Sequence, residues 1–399
     1  MKRPLHRDTH IVHLARPPYQ DGRRPVNPPV VRASTVDFVT LEAMNQARSQ
    51  ASQGEQSFTY GVRGTPISFA LEELITHLES GAGTKLFSSG LEAIAAVFLG
   101  FLKPGDDVLV VDTVYAPVRS LLDRFLEERQ IQYRFYSPRE SDLAQLIKPN
   151  TRMIYTESPG SVTMELQDLS VIIEATKGRS DIVIACDNTW SSGFCYRPLE
   201  HGADLSIIAG TKYLGGHSDV LMGSVTANEK TFMSLSETSG LLGMAVSADD
   251  CALVLRGART LHIRYPAHAQ RALTVAQWLE DHNEIVGVLY PPLPSSPDHD
   301  LWRDQFEGAA GLLTIELANP AGNHRPVSDF VNQLKLFGIG ASWGGFESLA
   351  LPCDLTNVRS IDVTEHRGPL IRLHIGLEDP KDLIADLDQA LNHWAGGVR

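Results

Sequence analysis

Short apolar runs alternate with longer amphipathic stretches through the middle of the chain. The clearest runs are VLVVD (108–112), MIYTES (153–158), IVIACD (182–187) and LSIIAG (205–210). Continuous Val/Ile runs of this kind are typical of buried strands in a parallel sheet. The helix-length segments between them favour crossover helices. The pattern therefore predicts an α/β fold built on a mostly parallel sheet.

The two ends of the chain show different patterns. Residues 1–60 are rich in Pro, Arg and Gln with weak periodicity, which predicts an extended arm. After about residue 260 we expect a long helix over 262–282, a proline-rich connection, two strands and a closing helix capped by Asp379. We therefore expect three segments: an N-terminal arm (1–62), a large domain that contains the parallel sheet (63–260) and a smaller C-terminal α+β domain (261–399).

Charge and composition exclude several classes of function. The formal net charge of -13 argues against a nucleic-acid partner, since phosphate-binding surfaces need clustered Lys and Arg. No apolar window reaches a membrane span, and the N-terminus lacks an apolar signal region, so we expect a cytoplasmic protein. The four cysteines are scattered without a C-x-x-C pair, which favours reduced thiols and no metal site. Small anionic ligands remain possible, because they need only a local positive site.

A lysine and an aspartate follow two of the apolar runs. Asp187 ends one run and Lys212 follows the next, and ligands of open α/β sheets bind beyond the carboxyl ends of strands. A lysine there can form an imine with an aldehyde cofactor. An aspartate facing a pyridine nitrogen keeps that ring protonated, which is the protein's share of pyridoxal-phosphate chemistry. A turn-capping Asp187 and a solvated Lys212 would also fit this spacing.

Three further positions could complete such a site. Ser88-Ser89-Gly90 opens an apolar helix, where backbone N–H groups could bind a phosphate or an N-cap could simply form. Tyr115 follows a strand and could stack on a planar ring or lie half-buried at the surface. Arg372 interrupts the apolar run LIRLHI, so it needs a partner, either a substrate carboxylate or an internal acid.

Several segments carry a family resemblance. They are TYGVRGTP, FSSGLEAI, ESPGSVTME, DNTWSSG, TKYLGGHSD, SWGGFESL and LIRLHIGLED. Together they resemble the trans-sulfuration, or cysteine and methionine metabolism, family of pyridoxal-phosphate (PLP) enzymes, in the same order from Asp8 to the final helix. Within that family, ESPGSVTME and SWGGFESL most closely resemble the bacterial cystathionine β-lyases. The resemblance implies a fold type I, aspartate aminotransferase-like architecture.

The resemblance also implies residue roles. Lys212 would be the Schiff-base lysine, Asp187 the partner of the pyridinium nitrogen, and Tyr115 the ring stacker that assists proton transfer. The phosphate would be bound by the N–H groups of Gly90 and Leu91, the Thr211 hydroxyl, and Tyr60 and Arg63 near the N-terminal arm, with Tyr60 reaching the neighbouring subunit's cofactor. The substrate α-carboxylate would be held by Ser342 and Arg372, with Trp343 lining the same side.

The chain departs from the family pattern at three places and from the γ-specific members at a fourth. Val62 stands where the family usually has arginine, and Arg63 follows one position later. Ala209 replaces a common serine, and Ala341 replaces the tyrosine of the bacterial β-lyases. Ala116-Pro117 follows Tyr115 where γ-specific relatives commonly have Gly-Gly. The first two changes concern the phosphate, the third concerns the substrate, and the last favours β-elimination.

The expected enzyme is a PLP-dependent carbon–sulfur β-lyase. It would cleave cystathionine, cystine or another cysteine S-conjugate to a thiol, pyruvate and ammonia. The alternatives are a γ-elimination or γ-replacement enzyme of the same family, such as a methionine or cystathionine γ-lyase or a synthase, and a PLP-binding regulator without catalysis. The family also implies a homotetramer, a dimer of dimers with shared sites, and an amino-acid thioether as its small-molecule partner.

Overall fold

A computed structural model describes residues 5–318, 326–356, 358–361 and 368–396. The strands are β1 (Gly83–Phe87), β2 (Asp107–Val111), β3 (Gln132–Tyr136), β4 (Thr151–Glu157), β5 (Val183–Asp187), β6 (Leu205–Ala209), β7 (Gly223–Ala227), β8 (Ile285–Leu289), β9 (Leu312–Leu317), β10 (Gly338–Ile339), β11 (Leu349–Cys353) and β12 (Leu370–His374). The helices are α1 (Arg7–His13), α2 (Leu41–Ser52), α3 (Pro66–Glu79), α4 (Gly90–Phe101), α5 (Ala116–Leu121), α6 (Leu169–Ala175), α7 (Phe232–Leu242), α8 (Ala248–Ala258), α9 (Leu261–Glu280), α10 (His299–Gln305), α11 (Ser328–Val331) and α12 (Pro380–Trp394).

The chain forms two compact units. The first joins Met1–Pro104 to Ser180–His262, and the second joins Gly105–Arg179 to Ile263–Arg399. Both are therefore assembled from segments that are distant in sequence. The boundaries expected from sequence, after residues 62 and 260, remain a prediction.

The first unit contains four strands in the order β1-β7-β6-β5. β5 and β6 are parallel, whereas β7 runs antiparallel to both β6 and β1. Helix α4 packs on β6 and β7, and α3 packs on β1 and α8. The parallel pair is the predicted IVIACD and LSIIAG runs, so the carboxyl ends of these two strands share one edge of the sheet.

The second unit contains two groups of strands. β2 pairs in parallel with both β3 and β4, as the continuous apolar runs predicted. The other group is a five-stranded sheet in the order β10-β11-β12-β9-β8, which is antiparallel except for the β10–β11 pair. This mixed sheet, with α12 beside it in the chain, is the α+β part expected near the C-terminus.

Helix ends follow the local chemistry. At the start of α3 the Ser68 hydroxyl accepts the N–H of Thr65 at 2.8 Å, and Pro66 lies in the first turn. α12 begins as predicted, since the Asp379 side chain accepts the N–H of Lys381. α9 confirms the long helix expected over 262–282.

The first sixty residues differ from the extended arm that weak periodicity predicted. They contain α1 and α2, and α2 is capped by the Thr40 side chain, which accepts the N–H of Ala43 at 3.1 Å. α2 buries none of its residues. A helix without a buried apolar face has no hydrophobic stripe, so its sequence shows no helical period.

Candidate active site

Asp187 and Lys212 lie at the same edge of the first unit's strands. Asp187 is the last residue of β5 and is paired in register with Ile207 of the parallel strand β6. Lys212 follows three residues after Ala209, the end of β6, in a tight turn. Its N–H donates to the Ala209 carbonyl at 3.0 Å, and its own carbonyl accepts the N–H of Gly216 at 2.8 Å. The predicted amine and acid therefore meet at one strand edge.

The Asp187 carboxylate is buried and oriented. Only 8% of the residue is exposed. One of its oxygens accepts both the N–H of Thr189, at 3.0 Å, and the Thr189 hydroxyl, at 2.6 Å. That hydroxyl in turn accepts the N–H of Ala209 at 2.9 Å. Asp187 is thus fixed relative to the strand that leads to Lys212.

Gly90 and Leu91 form the N-terminus of α4. Ser89 caps this helix by accepting the N–H of Glu92 at 3.1 Å. A Cβ on Gly90 would lie 2.8 Å from the Cβ of Ala209, so glycine permits close packing of the helix start on the end of β6. The unpaired N–H groups of a helix start are an anion site. Their place beside β6 suits the predicted phosphate contact.

Thr211 lies between Gly210 and Lys212. Its hydroxyl is within 3.2 Å of the Met222 carbonyl and accepts the N–H of Met222 at 3.0 Å. These contacts hold the Thr211 side chain against the residue that precedes β7. Its predicted phosphate contact remains a prediction.

Tyr60 and Arg63 line a separate cavity of about 840 Å³ in the first unit. Tyr60 is 51% exposed and forms an isolated bridge with Thr35 of the N-terminal segment. Arg63 lies against α7, where a Cβ on Gly240 would overlap its guanidinium. The structure therefore places both residues near the arm, with the exposed tyrosine available to another molecule.

Tyr115 immediately precedes α5 in the second unit. Its N–H donates to the Glu157 carboxylate at 2.7 Å, which ties it to the end of β4. The residue is 46% exposed, close to the half-buried surface position that its sequence allowed. The exposed part of Tyr115 is compatible with the proposed stacking role.

Arg372 lies on β12 and hydrogen-bonds to the segment that precedes β11. Its Nη2 donates to the carbonyl of Ala341 at 2.6 Å and to that of Ser342 at 3.3 Å. Burial lowers the pKa of Arg372, while the nearby Cys353 and Tyr115 oppose that shift. The structure thus brings Arg372, Ser342 and Tyr115 together in this unit, with Trp343 next to Ser342 in the chain.

Sequence reasoning missed a buried charge cluster after β2. Asp112 is fully buried and accepts hydrogen bonds from Arg119 and Arg359, at 2.5 and 2.9 Å. Burial raises its pKa, but the backbone N–H groups of Ile361 and Ser360 and the two arginines outweigh burial and leave the pKa lowered. The cluster holds residues 359–361 beside the strand that leads to Tyr115. Asp112 ends the run VLVVD, which was the available signal.

Thr189 and Glu157 were also missed as site residues, although both lie in quoted motifs. Thr189, in DNTWSSG, follows β5 and donates to Asp187. Glu157, in ESPGSVTME, ends β4 and accepts the N–H of Tyr115. The signal that could have found them is a polar side chain within two residues of a strand's carboxyl end.

The residues of the first unit fit pyridoxal phosphate. An amine and a buried carboxylate share one strand edge, and the glycine-opened start of α4 packs on the same strand end. These are the groups that an aldehyde, a pyridine nitrogen and a phosphate require: a nucleophilic amine, an accepting carboxylate and N–H donors. Within the part of the chain that the structure describes, no group of three or more His, Cys, Asp or Glu side chains could hold a metal ion. No described helix is long and apolar enough to cross a membrane.

Comparisons with known proteins agree with this chemistry. Residues 8–392 match the family model described as Cys/Met metabolism PLP-dependent enzyme. The chain is 43% identical to cystathionine beta-lyase of Bordetella avium, with 98% of each chain covered. It is 34% identical to human cystathionine gamma-lyase, covering 97% of this chain and 93% of the relative.

A solved structure shows the same fold. The crystal structure of metB from Corynebacterium glutamicum superposes with a TM-score of 0.86 at 28% identity, covering 98% of both chains. It confirms the predicted fold class, a mostly parallel sheet with a smaller sheet domain. The chain therefore belongs to the Cys/Met metabolism family of pyridoxal-phosphate-dependent enzymes, and it is a PLP-dependent lyase.

Proposed function

We propose that this enzyme is a carbon–sulfur β-lyase that cleaves cystathionine, or cystine and other cysteine S-conjugates, to a thiol, pyruvate and ammonia. The observation that carries the proposal is the placement of Lys212 and Asp187 at the carboxyl ends of two adjacent parallel strands. The 43% identity to a protein named cystathionine beta-lyase supports the choice of reaction.

Each site residue has a defined task in this proposal. Bound PLP supplies an aldehyde that condenses with amines and a ring that withdraws electrons from the substrate's Cα. Lys212 would hold the cofactor, and its Nζ would take the Cα proton of the substrate. Asp187 keeps the pyridine nitrogen protonated, and its contacts with Thr189 fix it for that task. Arg372 and Ser342 bind the substrate α-carboxylate, which fixes the direction of the Cα–H bond.

The phosphate-binding residues are proposed from their positions near the end of β6 and beside the N-terminal segment. The N–H groups of Gly90 and Leu91 and the Thr211 hydroxyl would hold it. Since Tyr60 is exposed beside the N-terminal segment, it would reach the phosphate of a neighbouring subunit's cofactor, with Arg63 nearby. This contact requires at least a dimer. We propose the homotetramer expected from the sequence, built from dimers with shared sites, and a cytoplasmic location. Sedimentation of the holoenzyme as a stable, fully active monomer would contradict it.

A γ-elimination enzyme is the second candidate, because human cystathionine gamma-lyase is 34% identical to this chain. The residues after Tyr115 favour the β reaction. γ-Specific relatives commonly follow the stacking tyrosine with Gly-Gly, whereas Ala116 and Pro117 open α5 here. A proline in the first turn leaves this segment less conformational freedom than two glycines would.

Product analysis separates the candidates. The purified holoenzyme is incubated with cystathionine, cystine and methionine side by side, and the oxo acid and thiol are identified by mass spectrometry. We expect pyruvate and homocysteine from cystathionine, and no product from methionine. 2-Oxobutyrate and cysteine from cystathionine would establish the γ reaction instead. No turnover of any of the three by PLP-loaded protein would favour the non-catalytic regulator.

A further inference from the structure

The 341–348 loop, which contains Ser342 and Trp343, is fastened to β12 and the residues after it along its whole length. Arg372 donates to the carbonyls of Ala341 and Ser342, and the His374 ring contacts the Gly344-Gly345 turn. The Leu377 N–H donates to the Phe346 carbonyl at 2.8 Å. The Ser348 N–H donates to the Glu378 carboxylate at 2.8 Å. The loop therefore has a fixed path rather than a free one.

His374 makes the central contact. Its side chain is buried, and its Nε2 lies 3.1 Å from the N–H nitrogen of Gly344 and 3.1 Å from the carbonyl oxygen of Gly345. Gly344 has a φ of 88°, a left-handed conformation that glycine adopts without strain. The imidazole thus holds the sharpest turn of the loop, two residues beyond Ser342.

A second buried histidine supports the first. The His268 ring on α9 lies 5.3 Å from the His374 ring, and its Nδ1 is 2.9 Å from the Ile375 carbonyl. Burial lowers the pKa of His374 to about 3 and that of His268 to about 4, and the nearby cations Arg264, Arg271 and Arg372 add to the effect. Both rings are therefore neutral, and Nε2 of His374 can accept from Gly344 or donate to Gly345.

We propose that His374 is a positioning residue for the substrate α-carboxylate, acting through the Gly344-Gly345 turn on Ser342 and Arg372. The inference rests on the proposed role of Arg372. The guanidinium of Arg372 is oriented by the carbonyls of Ala341 and Ser342, so its direction depends on where the loop lies. A loop fixed before substrate binds needs no ordering when the carboxylate arrives, which improves affinity.

Two amide substitutions separate this role from simple packing. His374→Gln places a side-chain amide where Nε2 was, and that amide can donate or accept as the turn requires. His374→Asn is shorter and reaches only the Nδ1 position. His393→Asn, at an exposed position of α12, is the matched control for the same change away from the loop.

The measurements use PLP-loaded protein with its visible absorption checked first. Dissociation constants are obtained for a non-cleavable amino-acid inhibitor and for its α-amide, together with kcat and KM for cystathionine. We expect His374→Asn to raise KM and the inhibitor's dissociation constant about tenfold, the equivalent of one lost hydrogen bond. The affinity for the α-amide and kcat should stay within about threefold, and His374→Gln and His393→Asn should resemble the wild type.

Inhibitor affinity within about twofold of wild type in His374→Asn would overturn the inference, as would equal losses for the acid and its amide. Should His374→Asn not fold, hydrogen exchange of the wild-type enzyme decides, since rapid exchange of the Gly344 N–H contradicts a fixed turn. Arg372→Leu is measured in parallel. If it leaves carboxylate affinity unchanged, the proposed role of Arg372 is wrong. If it weakens that affinity while His374→Asn does not, only the inference about His374 fails.

Discussion

Thr189 holds Asp187 through two hydrogen bonds to a single carboxylate oxygen, from its N–H at 3.0 Å and from its hydroxyl at 2.6 Å. Because the same hydroxyl accepts the N–H of Ala209, it connects the ends of β5 and β6. Hydrogen bonds to a carboxylate favour its charged form. Thr189 therefore orients Asp187 for its proposed contact with the pyridine nitrogen.

Removing the Thr189 hydroxyl should lower activity and PLP retention without unfolding the protein. Thr189→Val keeps the shape but leaves the buried carboxylate with one hydrogen bond fewer. We expect kcat/KM to fall about ten- to a hundredfold and PLP to dissociate more readily, since a hydrogen bond to a charged group contributes about 1.5–3 kcal/mol. Steady-state kinetics and dialysis of the holoenzyme measure both. Thr189→Ser, which keeps the hydroxyl, is the control, and equal behaviour of the two variants would refute the role.

A side chain at the start of α4 should disturb the proposed phosphate site. In Gly90→Ala the new Cβ would lie 2.8 Å from the Cβ of Ala209, so the helix start must move away from the end of β6. We expect the dissociation constant for PLP to rise about tenfold, as one N–H contact to the phosphate is displaced. Titration of apoenzyme with PLP gives this constant.

Gly287→Ala is the matched control for Gly90→Ala. A Cβ at Gly287 has its nearest neighbour at 3.8 Å, an ordinary contact. PLP affinity should be unchanged in that variant. If Gly90→Ala also binds PLP with wild-type affinity, the N-terminus of α4 is not the phosphate site.

A buried acid, Glu79, contacts Asn188, the residue that follows Asp187. Glu79 is fully buried and accepts the side-chain N–H of Asn188 at 3.0 Å. Burial raises the pKa of Glu79 to about 7, against the opposing effects of the nearby Ser206 hydroxyl and Asn188 amide. The folded protein therefore binds this proton more tightly than the unfolded chain, in which a glutamate titrates near pH 4.3.

This shift makes part of the stability depend on pH. The contribution of the Glu79 proton is complete below about pH 4 and is lost as the pH rises through about 7. We expect a loss on the order of 3 kcal/mol between pH 4.5 and pH 8 in the wild type. Glu79→Gln should lack that loss, because its amide does not ionise in this range. Denaturant unfolding at both pH values tests it.

Glu73→Gln on the exposed side of the same helix is the control for this experiment. It should retain the wild-type dependence on pH. Parallel pH profiles of Glu79→Gln and the wild type would show that Glu79 does not take up the proton.

The sequence predicted the parallel strands and the edge that joins Asp187 to Lys212, because buried strands leave continuous Val/Ile runs. It also predicted the cap of α12 at Asp379, since capping depends on a few neighbouring residues. The exposed helix α2 could not be predicted from periodicity, because none of its residues is buried.

Contacts between distant parts of the chain could not be predicted from the sequence. Asp112 and Arg359 are 247 positions apart and join in a buried ion pair that no local pattern indicates. The partners of Arg372 were left open between a substrate carboxylate and an internal acid. The structure shows a third kind of partner, the backbone carbonyls of Ala341 and Ser342. Every residue has a backbone carbonyl, so its identity does not indicate such a contact. Tertiary hydrogen bonding to the main chain therefore leaves no signal in residue identities.

The most direct test of the account is Lys212→Ala. The purified variant is supplied with PLP, and its visible absorption and its turnover of cystathionine are compared with those of the wild type. We expect the absorption band of lysine-bound cofactor to disappear and turnover to fall below detection, because the residue proposed to hold the cofactor and to move the Cα proton is missing. A Lys212→Ala variant that retains the band or normal lyase activity would contradict the central assignment.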